Sequence, residues 1–226
     1  MQSVHCVVTA GPTYESLDEV RRLTNFSTGK LGSQFANYLT DHGHAVTLLL
    51  GYYAVYRGEQ KAREIQTFTT TNDLSTRLQK LAGQPPVDAV FHAAAVSDFT
   101  FGKVWERLPS GELTELKAGK ISTRRGTLLA ELIPTTKIIG ALRQWFPTAR
   151  LVGWKYEVDG DRDQVLAKAQ QQIAENKTDA CVANGRAYGA GFGLVTGQGP
   201  FVHLSNQEAL FEALEKFVGA EIKPVR

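Results

Sequence analysis

Cysteine is scarce. Cys6 and Cys181 are the only two in 226 residues, and each lies inside an apolar run. Two isolated thiols do not build a disulfide framework, and without paired ligand spacing they do not frame a metal site. They read as reduced, buried thiols of a cytoplasmic protein. An excess of one charge is also missing. Lys and Arg number 25 against 23 Asp and Glu, a net charge of +2 with no long run of either sign. That counts against a nucleic-acid partner, because such proteins concentrate basic residues in a patch. No apolar run approaches the roughly 18 residues of a membrane span. The start Met1-Gln2-Ser3-Val4-His5 lacks the basic and apolar regions of a secretion signal. Repeats and low-complexity segments are absent. What remains, 42% hydrophobic and 21% charged, is the composition of a soluble globular chain long enough for one large domain.

An apolar run from Val4 to Val8 reads as a buried strand and is broken by Gly11-Pro12. Glycine tolerates a positive φ there, and proline fixes its own φ. Further on, Gly29-Lys30-Leu31-Gly32 opens a helical pattern in which Leu31, Phe35 and Leu39 recur on one face. Ser27 and Thr28 stand just before it, where hydroxyls can cap free backbone amides. Strand, glycine-punctuated loop and helix N-terminus together suit an anion. Gly11 and Gly29 would let a phosphate approach the backbone, and Lys30 would add a charge. Neither common phosphate loop is present. Thr24 stands where a P-loop requires glycine, and Pro12-Thr13 after Gly11 breaks the dinucleotide pattern G-x-G-x-x-G. An ordinary strand-to-helix connection is the plainer alternative, but those run about 2–6 residues, and long ones tend to carry function.

The rest of the chain alternates. His44 to Gly51 reads as a strand entered through Gly43, and Ile65 to Thr70 as another. Thr71-Asn72-Asp73 then caps a helix to about Leu81, closed by Gln84-Pro85-Pro86, and Val87 to Val96 is a fourth strand. This order predicts a Rossmann-like α/β fold: one domain over residues 1–226, with a mostly parallel sheet, helices on both faces, and ligands beyond the carboxyl ends of the strands. Phe99 to Gly126 breaks the pattern. It is polar and basic, with Lys103, Arg107, Lys117, Lys120, Arg124 and Arg125, and it is expected to form a flexible flap without regular structure. Thr127 to Ile133 resumes as a strand, and Pro134 is expected in the first turn of a helix reaching about Trp145. A strand follows through Leu151 to Trp154, then a helix from Arg162 to Asn176 with Val165, Ala169 and Ile173 on one face. Asp179 to Asn184 is a further strand. Gly193–Thr196 and Phe201–Leu204 form a hairpin around 197–200, and Ser205-Asn206 caps a last helix. The five histidines, His5, His42, His44, His92 and His203, show no ligand spacing and read as structural.

Taken in order, several short stretches resemble the phosphopantothenate–cysteine ligase family. They are T-A-G-P-T-x-E at Thr9–Glu15, N-x-S-x-G-K-x-G at Asn25–Gly32, A-A-A-V-S-D at Ala93–Asp98, Lys120-Ile121, L-I-P-T at Leu132–Thr135, V-G-W-K-Y-E at Val152–Glu157, and V-A-N at Val182–Asn184. The resemblance implies formation of an amide between 4′-phosphopantothenate and cysteine in coenzyme A synthesis. CTP or ATP would be the cosubstrate, an acyl-nucleotidyl anhydride the intermediate, and Mg²⁺ the ion on the phosphates. It makes Asn25 and Lys120 the catalytic pair, the first at the acyl group and the second on the basic flap. Gly11, Ser27, Thr28, Gly29, Lys30, Ala94, Asp98, Trp154 and Asn184 are then nucleotide-site residues, with Lys177 close to Asn184. No residue is assigned as a metal ligand. It further implies a homodimer with its site near the subunit interface, small-molecule substrates, and neither a nucleic-acid nor a membrane partner. Since nothing before Met1 could be the fused decarboxylase of the bifunctional relatives, a stand-alone ligase is expected.

One departure stands out. Many bacterial members carry Lys-x-Lys-Lys where this chain reads Lys120-Ile121-Ser122-Thr123, which leaves CTP against ATP open. Two other readings remain. A Rossmann oxidoreductase using NAD(P) suits the architecture, but the glycine fingerprint is missing and no tyrosine has a lysine four residues on. A nucleotide-binding relative without turnover would explain the lost lysines.

Overall fold

The computed structural model describes residues 3–83, 86–117, 119–122, 126–197 and 199–219. The readings placed on Gln84-Pro85, Thr123, Arg124, Arg125 and Gln198 lie outside the described residues. The first half runs β1 (His5–Ala10), β2 (Tyr14–Ser16), β3 (Arg22–Thr24), α1 (Lys30–Asp41), β4 (Ala45–Gly51), β5 (Glu64–Phe68), α2 (Thr71–Ala82) and β6 (Ala89–His92). It continues through β7 (Phe99–Arg107), β8 (Leu113–Leu116), β9 (Thr127–Pro134) and α3 (Ile138–Trp145). The chain ends with β10 (Arg150–Tyr156), α4 (Arg162–Asn176), β11 (Ala180–Asn184), β12 (Phe192–Thr196), β13 (Val202–Leu204) and α5 (Gln207–Gly219).

Eight strands form one sheet in the order β13-β12-β11-β10-β6-β1-β4-β5. The six from β5 to β11 are parallel, and β12 and β13 run antiparallel at one edge. The chain works outward from β1 through β4 to β5, then returns to build from β6 on the other side of β1. The strand order therefore reverses between β1 and β6. Side chains alternate across β1 with the two-residue period of a strand. Cys6, Val8 and Ala10 meet Phe35, Ala36 and Leu39 of α1 and Leu210, Phe211 and Leu214 of α5. Val7 faces the other way, toward Leu74 and Leu78 of α2 and Ile138 and Leu142 of α3. Beside them Val165, Ala169 and Ile173 of α4 cover Cys181 and Ala183. The parallel sheet with helices on both faces is as expected. Among the described residues, no helix is long and apolar enough to cross a membrane.

Three expectations need correction. The stretch Phe99–Gly126 is not structureless, because β7, β8 and β9 pair as an antiparallel ribbon, β8-β7-β9. Val104 is its one buried strand residue, so backbone pairing makes these strands and hardly any apolar alternation marks them. Pro134 does not start a helix. It ends β9 on the edge of the ribbon, opposite Phe99, where a missing N–H costs no ladder bond, and α3 begins at Ile138. The caps also shift. Thr70 rather than Thr71 accepts the Asp73 amide at α2, while α1 starts from Gly29 with its first amide, on Lys30, bound to Thr28 Oγ1 at 3.2 Å.

Candidate functional site

The loops that leave β1 and β6 lie side by side, and they are stitched together. Ala95 donates its amide to the Gly11 carbonyl at 3.0 Å and accepts from the Thr13 amide at 3.1 Å. Thr13 is fully buried. Its hydroxyl accepts the Ser97 amide at 2.8 Å and donates to Ser97 Oγ at 3.1 Å. Glu15, also buried, accepts the Thr71 amide at the start of α2 at 3.0 Å. Thr13 and Glu15 therefore close the loop. Asn25 sits on the outside of this seam, exposed, with Nδ2 donating to the Ala95 carbonyl at 3.2 Å. An amide nitrogen carries two hydrogens, so that bond fixes the plane of the side chain and leaves one N–H for a ligand.

Gly11 (φ +81°) and Gly29 (φ +75°) are buried, and a Cβ on either would come within 2.9 Å of Ala54 Cβ. The Cβ side of both positions is occupied by Ala54. The glycines are needed because three chain segments cross there, an approach no larger residue permits. Ser27 is half-buried, and Thr28 and Lys30 are exposed at the start of α1. The first amides of any helix lack helical acceptors and form an electropositive end.

One strand further along, between β6 and β10, a cleft of about 210 Å³ stays open. Ala94, Asp98 and Trp154 border it, as do His92, Lys155 and the start of α3. Asp98 is exposed, and its carbonyl accepts the Thr135 amide at 2.9 Å. Trp154 packs toward the α1 and α5 face; its buried Nε1 has no partner, and neither has Asn184 Oδ1 at the carboxyl end of β11. Lys155 pairs with Glu157 at 3.3 Å, and Lys168 reaches the same carboxylate at 2.6 Å. The Lys168 hydrogen bond is the main reason the Glu157 carboxyl is held below the usual carboxylate range; burial opposes it and Lys155 assists. Lys177 is not near this end of the sheet. It terminates α4 ahead of β11, and Asn184 stands at the far end of that strand.

Lys120 is exposed in the loop between β8 and β9. This loop is clipped to the turn after β2. Ile121 is buried, its amide donates to Asp18 Oδ2 at 3.2 Å, and its carbonyl accepts from Arg21 at 3.1 Å. Burial works against the Asp18 carboxylate, but the amides of Val20, Ile121 and Arg21 and the Arg21 guanidinium outweigh it and lower its pKa.

Two residues gain weight that the sequence reading did not give them. Asp18 anchors the Lys120 loop, and only the spacing Asp18-Glu19-Val20-Arg21, a turn signal, hinted at it. His92, read as structural, is 6% exposed and borders the cleft. Its Nδ1 lies 3.0 Å from Thr9 Oγ1, which also accepts the Ala94 amide at 3.1 Å. Burial lowers its pKa to about 4, so the imidazole is neutral at physiological pH. A larger hollow of about 510 Å³, between α2, α3 and the base of the ribbon, is lined by Glu15, Pro134 and Thr135 of the motifs but by none of the residues expected to be catalytic or to hold the nucleotide. No group of three or more potential metal ligands occurs among the described residues.

Comparison with known proteins identifies the family and the fold. Residues 1–222 match the family model described as the DNA/pantothenate metabolism flavoprotein C-terminal domain. A coenzyme A biosynthesis bifunctional protein, CoaBC, of Thermococcus kodakarensis is 30% identical over 184 residues, which is 81% of this chain and 42% of the relative. The chain thus spans less than half the length of the first relatives it matches, at 42% and 44%. Among solved structures, the DNA/pantothenate metabolism flavoprotein of Streptococcus pneumoniae superposes with a TM-score of 0.81 at 26% identity, covering 96% of this chain and 99% of the other. A Cab2 mutant in complex with phosphopantothenate-cysteine shares the fold, with a TM-score of 0.69 at 20% identity over 95% of this chain and 85% of that one.

Proposed function

Because the chain belongs to the DNA/pantothenate metabolism flavoprotein C-terminal domain family, we propose that it joins 4′-phosphopantothenate to cysteine at the expense of a nucleoside triphosphate. The observation that carries this reading is a meeting of motifs. Asn25 is bonded to Ala95, seventy residues away, and the same Ala93–Asp98 loop borders the cleft that Trp154 also lines. The similar Cab2 structure holds phosphopantothenate-cysteine, which supports the choice of acid and amine.

In this reading the pantothenoyl carboxylate attacks the α-phosphorus, an O–P bond forms, and pyrophosphate leaves. The cysteine amine, as the free base, then attacks the acyl carbon, and the nucleoside monophosphate departs with the electron pair of the cleaved C–O bond. Such chemistry demands positioned partners and stabilised charge. The free N–H of Asn25 donates to the acyl oxygen. Ser27, Thr28 and Lys30, with the open amides at the start of α1, hold the phosphates. Gly11 and Gly29 set that helix end close to β1. Asp98 takes a ribose hydroxyl, Ala94 and Trp154 border the nucleoside cleft, and Asn184 stands at the carboxyl end of β11 with its Oδ1 open to a nucleotide donor. Lys120 reaches over from its Asp18-anchored loop. Mg²⁺ fits a site of this kind as an ion carried by the triphosphate, with Asp98 the carboxylate in the cleft able to meet it; such ions need few protein ligands.

A homodimer in a reducing cytoplasm accords with exposed apolar side chains at Phe26, Leu113, Leu132 and Ile133 and with two free buried thiols. Sedimentation of the purified chain reads the dimer. The reaction is tested by pyrophosphate release with CTP and ATP side by side, phosphopantothenate and cysteine. Release that requires phosphopantothenate is expected. An NAD(P)H absorbance change would replace the ligase with an oxidoreductase, and nucleotide binding without turnover would make this a silent relative.

A further inference from the structure

We propose that His92 recognises the nucleobase, its Nε2–H donating to a ring-nitrogen or carbonyl acceptor on the floor of the cleft between β6 and β10. The inference rests on the reading that the nucleoside occupies this cleft. It deepens that reading by naming the group that meets the base edge.

The argument begins with Thr9. Its register partner on β6 is His92, so the two side chains stand together on the sheet face that carries α3. Thr9 Oγ1 already accepts from the Ala94 amide and lies 3.0 Å from His92 Nδ1, and among the described residues its hydroxyl hydrogen has no other acceptor, which assigns Nδ1 that part. With Nδ1 occupied as an acceptor, the proton of a neutral imidazole belongs on Nε2. Among the described residues no group accepts from Nε2, and the small exposed part of His92 faces the cleft.

Most other polar groups deep in the cleft already have partners. Gln172 donates one N–H to the Trp154 carbonyl at 3.2 Å, accepts from Cys181 at 3.1 Å and keeps its second N–H. Ser97 is tied to Thr13 and, through its carbonyl, to Thr135 at 2.5 Å. What the floor offers is thus neutral donors, the His92 Nε2–H and the second Gln172 N–H, beside the apolar Val96, Ile138 and Ile139. A flat group with apolar faces and an acceptor on its edge fits that arrangement. A phosphate finds no cation at His92, because burial disfavours the imidazolium; the cations of the cleft are Lys137 and Lys155.

The test uses the purified full chain. Nitrogen-15 spectra of the imidazoles should place the His92 proton on Nε2 in the free protein, and CTP or ATP, whichever binds, should shift that resonance. His92→Leu should raise the dissociation constant and KM for the nucleotide about tenfold, the effect of one lost hydrogen bond. Its kcat at saturating nucleotide and its KM for phosphopantothenate should stay near wild type. His92→Gln, whose amide nitrogen reaches where Nε2 was, should recover most of the affinity. Equal affinity in His92→Leu, a proton found on Nδ1, or a resonance unmoved by bound nucleotide would overturn the assignment. If the wild-type chain binds neither nucleotide in calorimetry, the nucleoside reading of the cleft fails and takes this assignment with it. The tautomer spectrum then still reports whether Thr9 sets the ring.

Discussion

Two crevices open at the carboxyl ends of the parallel strands, and they have been treated oppositely. Between β1 and β6, where the strand order reverses and ligands of such sheets usually bind, the loops are sewn shut by Thr13, Ala95 and Ser97. Between β6 and β10 the walls stand apart, and His92, which borders the opening, has no partner on Nε2 among the described residues. Buried polar atoms are normally satisfied. A seam whose groups are all paired is architecture. A cleft whose donor is unspent is prepared for a ligand. In the glycine-rich stretch, Gly11 and Gly29 serve the close crossing of chain segments, and Asn25, on the outer edge of the seam, connects it to the open cleft beside it.

The comparison can be broken in four places. The largest effect is expected from Asn25→Asp, which replaces a donor with a carboxylate facing the acyl group. Turnover should fall about 100-fold or more, as when an oxyanion donor is lost, with circular dichroism and melting unchanged. Near-normal turnover would detach Asn25 from the reaction. Gly11→Ala strikes the seam instead. A positive φ and a Cβ within 2.9 Å of Ala54 should cost about 3 kcal/mol in denaturant unfolding. A loss below about 1 kcal/mol would mean the crossing is loose.

A pH series weighs His92 itself. Its folded pKa of about 4 lies below the ordinary value of 6.5, so between those values the unfolded chain binds a proton that the folded chain refuses. Stability should therefore decline as pH falls from 6.5 toward 4, by up to about 3 kcal/mol relative to His92→Leu, and the two should run parallel at higher pH. Parallel curves throughout would mean that His92 is solvated. The smallest effect is at the thiols. Burial pushes Cys6 and Cys181 up to about 12, with Asp88 and Glu215 adding to the first and Lys155 opposing the second. A thiol reagent at pH 8 should label neither until denaturant opens the fold. Rapid labelling of either would show a gap in the core on that face of the sheet.

Legibility in the sequence followed burial. Helix α4 was readable end to end because Val165, Ala169 and Ile173 must share one buried stripe. Cys6 and Cys181 were readable because apolar runs in parallel strands are covered on both faces. Strands β7 and β8 were not, since their order comes from backbone pairing across a ribbon that faces solvent. Lys177 was misjudged for a different reason. Closeness along the chain to Asn184 says nothing about which end of a strand a residue occupies.

Composition, periodicity and turn residues by themselves determined a parallel α/β sheet clad in helices, because hydrophobic burial acts through local period and glycine acts through local φ, while the stretches at Asn25, Ala93–Asp98 and Trp154 were marked by their resemblance to a family. Only the tertiary structure decided which crevice is closed and which is open. That choice depends on hydrogen bonds between residues far apart in the chain, such as Thr13 to Ser97 and Thr9 to His92. A donor's availability is settled by what else folding brings within 3 Å or so of it, and no local pattern encodes that.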